Sequence, residues 1–510
     1  MEQSQLASPN LQQSIVYTAT KFTNMDDNES QLKQRKAVSA GTSTQRLEID
    51  PATEKRLVRK LDISIIPPVT LLYLFSFLDR VNIGNARLYG LEEDLNLSSE
   101  QYQTAVSLLF VTYLLFELPS NIILKRYCRP SRWIAFISVC WGIIATLTGI
   151  VQSFGGLIAC RLLLGLFESG LFPGLAVYLS FFYTKREIGL RIGYLFVSAA
   201  LAGAFGGLLA YGIGHMDGVF GQSGWRWIFI LEGIPTFVLG IACWWWLADG
   251  PETAWFLTPE EKKLMEIRRL QQTGVTDEFA WQDVRAGLKD WKMWAFCCAL
   301  FGADTMLYGY STFLPTIIKN IDPSYSSALV QVLTIPCYAI GAISYLIMAR
   351  ISDWSQKRGI YTIIFGIISI VGYAMLISDG GAGVHYAGCF LVALGLYVAV
   401  GLPIAWLLAN NPRFGKRTTA TGLQLMFGNC AGIMSSFLYP KQEGPRFIRG
   451  HAVSLGMVSF AMIVYAFMWW YFGHENKKRI NGERDYKIED LSEEEIADLG
   501  DENPKFLYSI

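Results

Sequence analysis

Long apolar stretches separated by short charged ones dominate this chain. Seven stretches, 133–160, 192–216, 323–349, 359–378, 380–412, 418–440 and 450–473, contain no Asp, Glu, Lys or Arg. Five more, 63–91, 101–124, 162–182, 227–248 and 293–318, are apolar but interrupted by isolated charges. A helix crossing the hydrocarbon core of a bilayer takes about 20 apolar residues. The pattern therefore predicts about twelve helical spans in an all-α integral membrane protein. The runs are continuous and do not alternate, which excludes a transmembrane β-barrel.

Charge between the spans sets the topology. Lys55, Arg56, Arg59 and Lys60 precede the first span, and Lys125, Arg126, Arg129 and Arg132 follow the second. Lys185, Arg186 and Arg191 follow the fourth, Arg350, Lys357 and Arg358 the eighth, and Arg413, Lys416 and Arg417 the tenth. Lys477, Lys478 and Arg479 follow the twelfth. The alternate loops are acidic or nearly uncharged, as at Glu92-Glu93-Asp94. Basic loops stay on the cytoplasmic side, so both termini are expected there. Lys441, Arg446 and Arg449, after the eleventh span, are the exception. Asn96-Leu97-Ser98 is a glycosylation sequon on the outer side.

The same pattern divides the chain. Residues 1–56 are rich in Gln, Ser and Thr and predict a disordered cytoplasmic tail without a cleaved signal peptide. Residues 57–248 form a first six-helix half, 249–290 a polar cytoplasmic loop, and 291–473 a second six-helix half. Residues 474–510, mostly charged with an acidic run near Glu493–Glu495, predict a solvated cytoplasmic tail. Two such halves are the layout of secondary transporters built from repeats.

Composition narrows the function. Hydrophobic residues make up 52% and charged residues only 17%, against about 25% charge in soluble domains. Lys+Arg and Asp+Glu are equal at 43 each, so no basic excess exists to neutralise nucleic-acid phosphates. The nine Cys lie mostly in apolar stretches, with no metal or disulfide spacing. No phosphate-binding loop, metalloprotease helix or nucleophile elbow is present. No cofactor, no metal and no enzymatic activity are expected, and uphill transport must draw on an ion gradient.

Ionisable residues inside spans are costly and are functional candidates by default. Asp79-Arg80 falls in the first span. The preceding run 63–78 is 16 residues, about 24 Å of helix, too short to cross the membrane alone. The pair therefore sits at membrane depth, either as a proton-titrating acid beside an anion-binding guanidinium or as a structural ion pair. Arg161 and Glu168 lie seven residues apart, on one helix face about 10 Å apart. Arg offers a planar fork that suits carboxylates, and Glu168 can compete with a substrate for it; a scaffold salt bridge is the structural alternative. Glu117 and Asp353, at the cytoplasmic ends of spans, together with Lys357 and Arg358, suggest a gating latch. Glu232 follows Trp225-Arg226-Trp227 and suggests a helix-end anchor. Asp304 admits either role. Tyr308, Tyr310, Gln424 and Asn429 can supply neutral hydrogen bonds from the second half or pack in its core.

"FLDRVNIGNARLYGLEEDLNL", "ELPSNIILKR", "RLLLGLFESGLFPG", "GWRWIFILEGI", "GPETAWFLTPEEK" and "LGDENPKFLY" together resemble the fungal allantoate and nicotinate permease branch of the anion:cation symporters, within the major facilitator superfamily. The likeness runs from about Leu57 to the C-terminus. It implies the major facilitator fold, with the Asp79-Arg80 and Arg161…Glu168 pairs serving proton coupling and anion binding. The superfamily motif after the second span is degraded to "PSNIILKRYCRPSR", without its Asp, whereas "RISDWSQKRG" keeps Asp353. The fifth span, "SAALAGAFGGLLAYGIG", lacks the Pro of the drug-antiporter motif, which favours symport. The resemblance implies proton-coupled uptake of a small organic anion by a monomer in the plasma membrane, its partners being the anion, protons and lipid. Nicotinate, allantoate, other ureido acids, biotin-like vitamins, phthalate and small peptides remain open as substrates. Efflux of a secondary-metabolite acid is the alternative on the same fold, and a non-transporting nutrient receptor the alternative from another class.

Overall fold

The structure, a computed structural model, describes residues 50–126, 129–272, 281–489, 491–492, 495–496 and 499–510. The expected N-terminal tail lies almost wholly outside them, as do the side chains of Lys125, Arg126, Lys185 and Arg186 and part of the acidic run at 493–495.

Twelve long helices follow one another, and no strand occurs among the described residues. They are α1 (Pro51–Leu88), α2 (Ser99–Arg126), α3 (Pro130–Thr148), α4 (Phe154–Ser180), α5 (Lys185–Gly214), α6 (Gly224–Trp246), α7 (Trp291–Ile321), α8 (Ser327–Ser355), α9 (Gly359–Ile377), α10 (Ala382–Ala409), α11 (Phe414–Ser435) and α12 (Ile448–Ile480). The helix α4 is interrupted at Ser169–Gly170, directly after Glu168. Among the described residues, nine of the twelve are apolar enough to cross a membrane by length and composition alone. The other three, α2, α7 and α11, run for 28, 31 and 22 residues, long enough to span. Their polar residues lower their hydropathy, and all three face the central cavity described below.

The six helices of each half pack together, and the halves meet along α5–α8 and α2–α11. Glycines let the backbones approach there: a Cβ on Gly84 of α1 would collide with the carbonyl oxygen of Thr312 in α7, and one on Gly203 of α5 would strike the ring of Tyr338 in α8. Close approach through small residues is how membrane helices gain packing energy without a hydrophobic drive between them.

Polar contacts between the halves cluster on the face that carries Glu92. Gln331 Nε2 donates to Asn85 Oδ1 (3.2 Å), Ser327 Oγ to the Leu88 carbonyl (3.3 Å) and Arg87 Nη1 to the Tyr439 carbonyl (3.4 Å). Lys441 Nζ stands 2.9 Å from Glu93 and 3.5 Å from Glu92, which Arg87 also pairs at 3.0 Å. The basic residues that break the charge pattern are thus matched locally, with Arg446 on Asp379 (2.7 Å) and Arg449 on Glu443 (3.2 Å).

On the opposite face the polar loop holds two helices. Pro259–Gln272 is tied to the first half by Lys60–Glu261 and Arg268–Glu187, both 2.6 Å. Trp281–Lys289 is tied to the second half by Arg413–Asp283 at 2.7 Å, and Asp290 just beyond it pairs with Lys416 at 2.6 Å.

The C-terminal stretch, expected as solvated, instead packs as a strap across the second half. Asp501 is buried between Lys292 (2.8 Å) and Lys416 (2.7 Å). Tyr508 stacks on Phe472 with ring centroids 4.5 Å apart, and Arg479 donates to the carbonyls of Asn503 and Phe506. Charges that look like a solvent-exposed tail in sequence are here the partners of buried lysines. Burial alone would raise the Asp501 carboxyl, but the two ammonium groups hold it below the usual carboxylate range.

Candidate functional site

A cavity of about 60 Å³ lies between the halves, and eight helices line it. Helix α1 contributes Tyr73, Phe77 and Arg80, α2 Tyr113 and Glu117, α7 Asp304 and Tyr308, and α10 Tyr397, Gly401 and Ile404. These positions recur at i, i+4 and i+7, one face of each helix. Phe172, Ala199, Tyr345, Leu425 and Asn429 contribute to the rest of the wall. The site is a box rich in aromatic rings with a guanidinium and two carboxyls, an apolar concavity holding few polar groups, as small-molecule sites usually are.

Arg80 is the cation of this box. Its Nε stands 2.5 Å from Glu168 Oε1, and its guanidinium lies 4.6 Å over the Tyr113 ring. Ser76 donates to the same Glu168 oxygen at 2.5 Å. The ion pair uses only Nε, and neither Nη group makes a hydrogen bond to a described residue. A fork of donors therefore remains available beside the cavity. Tyr308 donates to Asn429 Oδ1 at 2.5 Å and meets Phe110 edge-on. Asp304 Oδ1 is buried without a partner among the described residues.

The structure rearranges the residues singled out by sequence. Glu168 pairs with Arg80 on another helix and not with Arg161 on its own. Arg161 is fully buried, does not line the cavity, and holds its guanidinium 5.6 Å from the Phe229 ring. Asp79 and Arg80 do not face each other, because successive residues of a helix point about 100° apart. Asp79 turns into the first half, away from the box. Glu117, expected as a gating residue, lines the cavity. Glu232, expected at a helix end, is the ninth residue of α6, buried, and accepts a hydrogen bond from Asn82 Nδ2. Asp353 is exposed and pairs with Arg358 at 3.4 Å, while Arg358 Nη1 donates to the Ala405 carbonyl at 2.5 Å. This arrangement ties α8, α9 and α10 within one half, and Lys357 beside it is exposed.

Of the neutral candidates, Tyr308 and Asn429 line the cavity and Tyr310 and Gln424 do not. Tyr310 donates to the Cys389 carbonyl (2.8 Å) in the core of the second half, and Gln424 is buried without a partner among the described residues. The residues that sequence reasoning missed are the aromatic walls. Their signal was the i, i+4 spacing of Tyr73 and Phe77 with Arg80, and of Tyr113 with Glu117.

Twelve helices in two halves around a central polar-aromatic cavity define a multi-pass membrane transporter. Residues 69–436 match the model of the Major Facilitator Superfamily, and the chain belongs to that family. It is not an enzyme. It is 39% identical to an uncharacterised transporter of Schizosaccharomyces pombe, over 93% of this chain and 94% of the relative. It is 33% identical to a high-affinity nicotinic acid transporter of Saccharomyces cerevisiae, over 94% of this chain and 90% of the relative. A solved bacterial homologue of the human lysosomal transporter Spinster shares the fold, with a TM-score of 0.63 at 15% identity, covering 83% of this chain and 97% of that one.

Proposed function

We propose that the protein is a proton-coupled symporter that takes up a small organic anion, a flat carboxylate of the nicotinate kind, at the plasma membrane. The observation that carries this reading is Arg80: one guanidinium in an aromatic box, paired through Nε alone to a buried carboxylate. A substrate carboxylate competes with Glu168 for that guanidinium. With the substrate bound, Glu168 loses its counter-charge, and an unpaired buried carboxylate is costly enough to bind a proton. Anion and proton thus load together and leave together. Tyr113, Tyr308 and Phe172 offer faces for a planar solute, and Asp304 and Asn429 offer polar contacts to its far end. The relative named as a nicotinic acid transporter supports this class of solute.

The test is uptake of labelled nicotinate, and of a panel of other small carboxylates, into vesicles containing the full chain under an imposed pH gradient. Accumulation that follows the gradient is the expected result. In Glu168→Gln, which fixes the neutral form, exchange of labelled for unlabelled solute persists while accumulation is lost. Preserved pH-driven accumulation in that variant places the proton elsewhere. Absence of uptake of every carboxylate overturns the anion reading.

A further inference from the structure

Of the charges that line the cavity, Asp304 of α7 stands alone. Arg80 is paired with Glu168 and also lies within electrostatic reach of Glu117 on α2, so one guanidinium already serves two carboxyls. Asp304 is buried and makes no ion pair with a described residue, and its Oδ1 has no hydrogen-bond partner among them. Its surroundings are neutral. Tyr308 follows one turn later on the same face of α7 and donates to Asn429. Tyr465 of α12, fully buried with an unpartnered hydroxyl, lies within electrostatic reach of the carboxyl. Helix α11 makes room for it: a Cβ on Gly428 would collide with Asp304 Oδ2. Gln424, one turn before Gly428 on α11, is buried, neutral and unpartnered among the described residues.

Charge says what this carboxyl is for. With Arg80 protonated and Glu117, Glu168 and Asp304 ionised, the cavity and its ion pair carry two net negative charges. A solute that brings only a carboxylate adds a third, and a proton taken up by Glu168 offsets that one and leaves Asp304 unpaired. A buried carboxylate without a counter-charge is costly. A solute that carries its own cation removes that cost at Asp304 and keeps its carboxylate for Arg80. A multivalent metal ion has no cage there, since no group of three His, Cys, Asp or Glu side chains exists among the described residues. Tyr73 and Tyr308 lie within electrostatic reach of both Arg80 and Asp304. A ring-shaped solute seated against those two rings has a pole of opposite charge at either end, and the rings themselves favour a cation.

We propose that Asp304 determines the specificity of the cavity by receiving a protonated nitrogen of the solute, so that the molecule carried is a small ring-shaped zwitterion, its carboxylate on Arg80 and its N–H cation on Asp304. This deepens the carboxylate reading above and rests on it for the Arg80 end. A carboxylate of the same shape without the nitrogen leaves Asp304 stranded. Sites that lose the partner of a buried polar group in this way discriminate strongly against the analogue that lacks it.

The experiment is solute binding to the purified full chain in nanodiscs at neutral pH, with choline as the only added cation, read as thermal stabilisation against solute concentration. Two probes of equal shape are compared: nipecotate, a saturated-ring carboxylate whose ring nitrogen is protonated, and cyclohexanecarboxylate, which has carbon in its place. Nipecotate is expected to bind the parent at least about tenfold more tightly. In Asp304→Asn the preference should fall to within about twofold. Nipecotate loses its partner there, while cyclohexanecarboxylate binds no worse than to the parent, because a repelling charge is gone. Equal affinity of the parent for the two probes overturns the proposal. So does a preference that survives Asp304→Asn, which would make another group the partner of the nitrogen. Sodium that lifts cyclohexanecarboxylate to the affinity of nipecotate in the parent and not in the variant would assign Asp304 to a metal cation, and also overturns it. If Asp304→Asn fails to fold, Asp304→Ser is read in its place, and Gly428→Ala, whose added methyl displaces the carboxyl, should give the same collapse of preference. Binding of both probes without preference overturns this inference and leaves the carboxylate reading standing, whereas binding of neither overturns both. A preference for nipecotate without gradient-driven uptake leaves this inference standing and overturns the symport.

Discussion

Arg80 concentrates the chemistry of the cavity in one side chain. Its fork has the geometry that suits planar anions, and its position over Tyr113 fixes that fork in space. Arg80→Lys keeps the charge and loses the fork; the expected outcome is an initial uptake rate lowered at least about tenfold, a loss of about 1.4 kcal/mol of substrate binding. Arg80→Ala also strands Glu168, and breaking a buried pair costs about 3–5 kcal/mol, so it should lower both uptake and thermal stability. Arg80→Ala/Glu168→Gln should regain the stability and not the uptake. Recovery of uptake in the double variant would show that Arg80 serves the scaffold alone. The candidates were legible in sequence because a charge inside an apolar run is conspicuous. Their pairing was not: periodicity orders residues along one helix, and the Arg80–Glu168 contact depends on how α1 rolls against α4. Arg161 and Glu168 share a helix, so their spacing suggested a pair, while packing gave Glu168 to its neighbour.

At the scale of elements, the spans read from the absence of charge coincide with helices, since a bilayer leaves a long apolar segment little choice but to close its own hydrogen bonds. The C-terminal strap escaped that logic. It is held by ion pairs and backbone carbonyls, so nothing apolar or periodic announces it. Asp501 joins α7 and α11 through Lys292 and Lys416, and Lys416 keeps Asp290 if Asp501 is lost. Asp501→Asn is therefore expected to lower the melting temperature of the detergent-solubilised protein and to increase proteolysis after residue 480. The pH dependence has a defined sign. Asp501 titrates below its ordinary value of 3.8 when docked, so the strap's contribution is complete above that value. It is lost only as pH falls through the lowered value. A strap released near neutral pH would contradict the ion-pair account.

At the scale of the whole molecule, orientation and closure are linked. The basic loops assign the Glu92 face to the outside, and side-chain exposure now selects the probes. Glu92 and Lys416 are buried in ion pairs and would label poorly, whereas Asp379 is 91% exposed and Lys357 is exposed on the other face. Cysteine at Asp379 should react with an impermeant reagent on intact cells and cysteine at Lys357 should not. With that orientation, the ion pairs of Arg87, Glu92, Glu93 and Lys441 would close the outer side, and loading from there would require them to part. The Lys441 side chain is 63% exposed, which limits its pairs to about 0.2–1 kcal/mol each. With two such pairs, Lys441→Ala is thus expected to raise the outward-open population by no more than about thirtyfold. Lys441→Glu sets three acids together and should raise it further, with Glu93→Lys in the same chain reversing the effect. The readout is the labelling rate of a cysteine at Asn85, which the closed halves bury against Gln331. Burial would raise the Glu93 carboxyl, but the Lys441 ammonium holds it below its ordinary 4.5. The pair therefore stays ionised above that value and weakens only as pH falls through the lowered one. Acidifying the outside to about pH 5 should leave the Asn85 labelling rate unchanged in the absence of solute, because the Glu93–Lys441 pair is still ionised there. A labelling rate that climbs at pH 5, and does so less after Glu93→Gln, would move the proton's point of action to the outer face.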